Sequence, residues 1–171
     1  MEIESIKAIA RELHEAGVRF LVVGGLAVVA HGYVRGTKDL DLVFDLAPEN
    51  LERAVAALAR LGFQPLVPVP FADYAKAEER RRWVEEKGAV VFQVFSDRHP
   101  SVRIDLFLSE PFAFTEVYGR AVWQAVAEIP VPFVPLDELL AMKEKAGRPQ
   151  DLADIHRLGI EAARRARDAE G

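Results

Sequence analysis

The sequence contains no cysteine. Disulfides, thiolate metal sites and cysteine nucleophiles are thereby excluded. It also lacks a long apolar segment. The longest apolar run, residues 20–30, is too short to span a bilayer and is interrupted by Gly24 and Gly25, so no membrane association is expected. Nor is there an excess of basic residues: the formal net charge is −5, and the chain as a whole has no nucleic-acid footprint. Met1 is followed by Glu2 and Glu4 rather than by a basic and then apolar leader, so the expected location is cytoplasmic. Neither Gly-x-Gly-x-x-Gly nor Gly-x-x-x-x-Gly-Lys-Ser/Thr occurs. The four histidines, His14, His31, His99 and His156, never show the i, i+4 spacing of a helical zinc site.

The composition is otherwise that of an ordinary globular chain, half apolar and 29% charged. With 171 residues, one domain with its own core is expected over 1–171. Ile3, Ile6, Ala10 and Leu13 recur at helical spacing, and Gly17 supplies a stop. Residues 18–23 form a β-rich apolar run, broken by Gly24-Gly25. A short apolar helix is expected over 26–31 and a polar turn over 33–38. Residues 39–45 alternate, with Asp39, Asp41, Val43 and Asp45 on one face of a strand. Pro48 opens a helix carrying Leu51, Val55, Leu58 and Leu61 on one stripe, closed by Gly62.

Three prolines in 64–70 exclude a regular central element there. Residues 73–87 read as a charged helix; its Arg80-Arg81-Arg82 run is a solvated face or, alternatively, an acceptor-binding patch. Residues 89–95 and 102–108 form a hairpin. A short helix over 112–119, a last strand over 131–134 and helices over 136–146 and 150–169 complete the chain. The fold class is α/β (α+β). A mixed sheet flanked by helices is expected, because the hairpin requires antiparallel pairing. A core is expected at about 18–110, with a helical segment packed on it at about 135–170.

Three acids stand out. Asp39 and Asp41 are two apart on one strand and so project from the same face, roughly 7 Å apart along the backbone. Like charges this close stay ionised only beside a cation. Arg35, Lys38 or a bound metal can supply it; magnesium prefers carboxylate oxygens plus substrate phosphates. Asp105 lies mid-strand in 102–108, where a carboxylate needs a partner. That partner is either an arginine such as Arg103 or a metal shared with Asp39 and Asp41. Gly24-Gly25 lies between a strand and a helix, where backbone amides can approach phosphate oxygens; the plain alternative is a turn.

Taken together, Gly24-Gly25, the run Arg35-Gly36-Thr37-Lys38-Asp39-Leu40-Asp41 and the apolar-flanked Asp105 resemble the polymerase-β-like nucleotidyltransferase superfamily. The closer likeness is to small bacterial members of toxin–antitoxin pairs. Leu140-Ala141-Met142-Lys143 and the run from Gly147 to Ile155 look like the helical segment after the catalytic core of such proteins. The resemblance covers roughly residues 18–158.

It implies a nucleotidyltransferase fold and transfer of a nucleoside monophosphate from a nucleoside triphosphate to an acceptor hydroxyl of RNA, protein or a small molecule, with release of pyrophosphate. Gly24, Gly25, Arg35, Lys38 and Lys143 would bind nucleotide. Asp39, Asp41 and Asp105 would hold Mg2+, as two ions, with Mn2+ as a substitute, and Asp105 would activate the acceptor. Thr37, Arg148, Asp151 and Asp154 are candidates for the surrounding shell; Asp151 or Asp154 would orient Lys143 or Arg148. The implied partner is the other protein of a toxin–antitoxin pair. The alternative is a catalytically silent, antitoxin-like protein of the same fold. Many family members carry serine after the first glycine, where this chain has Gly25.

Overall fold

The structure is a computed structural model that describes residues 2–169. Within them a seven-stranded mixed sheet runs in the order β3-β4-β5-β2-β1-β7-β6. At its centre are β1 (Phe20–Val23) and β2 (Asp39–Phe44), antiparallel to each other, and β5 (Arg103–Phe107), parallel to β2. All four side chains of β1 are buried, as expected of a continuous apolar run in mid-sheet. β4 (Val91–Phe95) and β5 form the antiparallel hairpin read from the sequence. β3 (Gln64–Pro65) is a two-residue edge strand. Proline is tolerated there because one side of an edge strand needs no ladder donor.

The other end of the sheet departs from expectation. β7 (Ile129–Phe133) runs parallel to β1, and a further strand, β6 (Val122–Val126), pairs with it to form a second hairpin. The sequence does not advertise that turn. Its two central residues, Ala127 and Glu128, have φ of 48° and 71°, and neither is the glycine or asparagine such turns favour.

Helix α1 (Ile3–Glu15) buries Ile6, Ile9, Ala10 and Leu13 and packs on α3 (Pro48–Arg60) and β7. Helix α2 (Gly24–Ala30) starts at the glycine pair itself, two residues earlier than the sequence suggests, and packs on β1, β2 and helix α6 (Leu136–Ala146). Residues 71–75 form a 3-10 turn ahead of α4 (Ala77–Lys87), so the charged helix is shorter than expected. Helix α5 (Phe114–Gly119) follows β5. Helix α6 ends at Gly147, whose left-handed backbone turns the chain, and Pro149 opens α7 (Pro149–Ala169). This corner folds the start of α7 back on α6, so that Lys143 meets Asp151 and Asp154. No described helix is long and apolar enough to cross a membrane.

Candidate active site

The strand register assembles the site. Asp41 of β2 lies directly opposite Asp105 of β5, and Gln93 of β4 lies opposite Asp105 on its other side. Residues paired across a sheet share a face, so Asp41, Asp105 and Gln93 form one row across three strands. Asp39, two residues before Asp41, is on the same face, opposite Arg103. Gln93 Nε2 donates to Asp105 Oδ1 at 2.9 Å.

This row is electrostatically loaded. Burial, then the charges of Asp105 and Asp39, push the Asp41 carboxyl up to about 7, against the pull of the Gly25 backbone amide and of Lys143. Asp105 is also raised, first by burial; the Gln93 hydrogen bond and Arg103 oppose the rise. Acids held above their ordinary range by burial and by one another favour a cation.

Gly24 and Gly25 do permit a close approach, but protein side chains make it. Gly24 has φ +62°, and a Cβ there would collide with the Asp41 carboxylate. A Cβ on Gly25 would lie 2.5 Å from Thr37 Oγ1 and 3.1 Å from Arg35 Nη2. Thr37 is held in place by donating to the Asp39 carbonyl at 3.2 Å. The loop over 33–38 therefore folds against the start of α2, and the Cα faces of the bend are filled.

Behind this loop stands a buried ionic network. Lys143 Nζ donates to Asp154 Oδ2 at 2.7 Å and to Asp151 Oδ1 at 3.1 Å. Arg35 Nη2 donates to Asp154 Oδ2 at 3.0 Å. Its Nε lies 2.9 Å from Asp154 Oδ1 but is not aimed at it, so that buried N–H has no acceptor among the described residues. Gln150 and Arg148 donate to Asp154 and Asp151 respectively. Burial pushes both acids up, but the bonds and charges of Arg148, Lys143, Gln150 and Arg35 more than offset this, and both lie below the usual carboxylate range. Lys143, expected to reach phosphate, has its ammonium committed to these two aspartates, while its charge still acts on Asp41. Lys38 is exposed and lines, with Asp39, Phe95, Ser96 and Arg103, a cavity of about 650 Å3.

The comparisons with known proteins decide the family. A family model described as nucleotidyl transferase AbiEii toxin, type IV toxin–antitoxin system, matches residues 7–168. The chain belongs to this family. It is a nucleotidyltransferase, and its family is that of the toxin, not of the antitoxin considered as an alternative. Two solved structures of ANT(2″)-Ia share its fold with a TM-score of 0.57 each. One is a crystal structure in complex with adenylyl-2″-tobramycin (14% identity, covering 96% of this chain and 97% of that one). The other is a solution structure of this antibiotic-resistance factor (15% identity, covering 98% and 93%). No curated protein sequence matches significantly.

Metal fit in this AbiEii-family chain has two sides. Among the described residues no group of three or more His, Asp or Glu side chains is arranged to hold a metal ion. Asp41 is turned toward the Gly24–Gly25 bend and Asp105 toward Gln93. The donor chemistry nevertheless fits a hard divalent cation: the set is all carboxylate, and burial together with neighbouring carboxylates raises two of the acids. Asp39, Asp41 and Asp105 are carboxylate donors of the type such a cation takes. Gln93 is the one member of the row that sequence reasoning overlooked. Its signal was available: a lone amide in the middle of an apolar strand, on the face that the hairpin register assigns to Asp105.

Proposed function

We propose that this nucleotidyltransferase is magnesium-dependent, with Asp39, Asp41 and Asp105 as the metal ligands and Asp105 also as the general base. The reading rests on one observation: Asp41 and Asp105 are in register on parallel strands, with Asp41 against the Gly24–Gly25 bend. Bound Mg2+, or Mn2+ in its place, would neutralise phosphate charge and stabilise the entering and leaving oxygens.

The chain's own residues divide the remaining work. Asp105 takes the acceptor's hydroxyl proton as general base. The acceptor oxygen bonds to the α-phosphorus, the bond from that phosphorus to the β-phosphate bridge breaks, and pyrophosphate leaves. Arg35 and Arg148, backed by the buried Lys143, provide positive charge on the triphosphate side, and Lys38 does so at the open cavity beside Asp39. That cavity has the size of a small-molecule or nucleoside site. Asp154 and Asp151 orient Arg35, Lys143 and Arg148 toward the site, and Thr37 fixes the loop.

The test is transfer of label from α-labelled NTPs with Mg2+ to RNA, protein and small-molecule pools in separate reactions. Transfer is expected with Mg2+, and its loss in Asp39→Ala/Asp41→Ala. Absence of transfer to every pool, together with absence of Mg-NTP binding, would end the proposal.

A further inference from the structure

Arg80 belongs to the Arg80-Arg81-Arg82 run that the sequence presents as a solvated face. Arg82 conforms: it pairs with Glu79 at the surface. Arg80 does not. It is only 6% exposed. One hydrogen bond is made by its guanidinium, from Nη1 to the Tyr74 carbonyl at 2.8 Å, with the Tyr74 ring 6.0 Å away. A guanidinium carries five N–H donors and cannot shed its charge. Buried charges are ordinarily paired with an opposite charge, yet no carboxylate of the described residues acts on Arg80; among them its pKa is lowered by burial and opposed only by Tyr74.

Arg80 also lines a cleft of about 290 Å3 with Arg81, Leu46, Val84, Glu85 and Leu108. Leu46 follows β2 and Leu108 follows β5, so the cleft lies beyond the ends of these strands opposite Asp39. It is separated from Asp41 and Asp105 by five and three residues of extended chain, about 10–16 Å. Two guanidiniums and one carboxylate leave a single uncompensated positive charge. Apart from Ser109, the remaining wall is aliphatic.

We propose that this cleft is a second ligand site, distinct from the nucleotidyl-transfer site, for a small aliphatic monocarboxylate. The carboxylate receives N–H bonds from Arg80 and Arg81, whose planar forks match its geometry. The aliphatic body lies against Leu46, Val84 and Leu108. Glu85 at the same cleft disfavours a dianion.

The experiment is thermal unfolding and NMR titration of the full chain with isovalerate, and in parallel with inorganic phosphate. Isovalerate is expected to raise Tm by about 3–5 °C at ten times its Kd, and phosphate to act at least tenfold more weakly. Arg81→Ala should weaken isovalerate about tenfold, and Arg80→Met should abolish its effect. Ser109→Glu places a carboxylate at the exposed rim of the cleft; it should raise Tm without ligand and remove the isovalerate response, so the proposal stays testable if Arg80→Met fails to fold. No response to isovalerate, an undiminished response in both Arg81→Ala and Ser109→Glu, or a preference for phosphate would each overturn the proposal.

Discussion

Asp41 and Asp105 stand opposite each other on adjacent parallel strands, with Gln93 continuing the row on the far side of Asp105. Burial raises both acids; the charges of Asp105 and Asp39 add to it at Asp41, which reaches about 7 from an ordinary 3.8, and that of Asp39 adds to it at Asp105. The row is thus poised for a cation, and its cost to the fold can be measured.

Because the folded pKa of Asp41 lies above the unfolded one, its contribution to stability is fully present below about pH 4. It is lost as pH rises through about 7. The loss for the metal-free protein is on the order of 4 kcal/mol. Asp41→Asn should remove most of this slope and be more stable than the parent at pH 8. Mg2+ should stabilise the parent at pH 8 far more than the variant. Denaturant titrations at pH 4.5, 6 and 8 with and without Mg2+ read all three effects; a parent slope unchanged by Asp41→Asn would contradict them.

Gln93 holds Asp105 in its charged form by donating to Oδ1. Gln93→Leu removes that bond, so the Asp105 pKa should rise further. Transfer is expected to fall on the acid side, and the acidic limb of the pH–rate profile to move to higher pH. A pH–rate profile parallel to that of the parent would exclude this role.

Asp154 is fully buried and accepts from Lys143, Arg35 and Gln150. Asp154→Asn leaves the buried Lys143 under-neutralised and should cost about 3–5 kcal/mol. The double variant Lys143→Met/Asp154→Asn should be less destabilised than the sum of its singles, since it removes both charges together. Melting temperatures of the four proteins give the coupling; simple additivity would show that the two side chains do not act as a pair.

Thr37 fills the space that a side chain on Gly25 would need. Gly25→Ser should therefore be destabilising by about 1–3 kcal/mol, the usual range for overpacking. Thr37→Gly should relieve the clash and restore stability in the double variant. Failure of that rescue would mean that some other contact forbids serine here.

The sequence pattern revealed the strands that carry the acids because alternation and apolar runs are local signals. Asp39 and Asp41 on one face, Asp105 in a strand and the hairpin of β4 and β5 could all be read from it. Non-local facts were hidden. Lys143 and Arg80 look like solvated helix residues, yet tertiary packing buries both. The β6–β7 hairpin escaped notice because Ala127 and Glu128 give no turn signal. The glycine bend reads as open backbone, and only coordinates reveal Asp41 and Thr37 lying against it.

The network from Arg35 to Asp154 joins residues 119 positions apart. Contacts so distant along a chain form only after a large loop has closed. During synthesis, the three acids leave the ribosome well before Lys143 and Asp154. Until the last helices emerge, the acids of β2 and β5 stand without the ionic network of Arg35, Lys143 and Asp154.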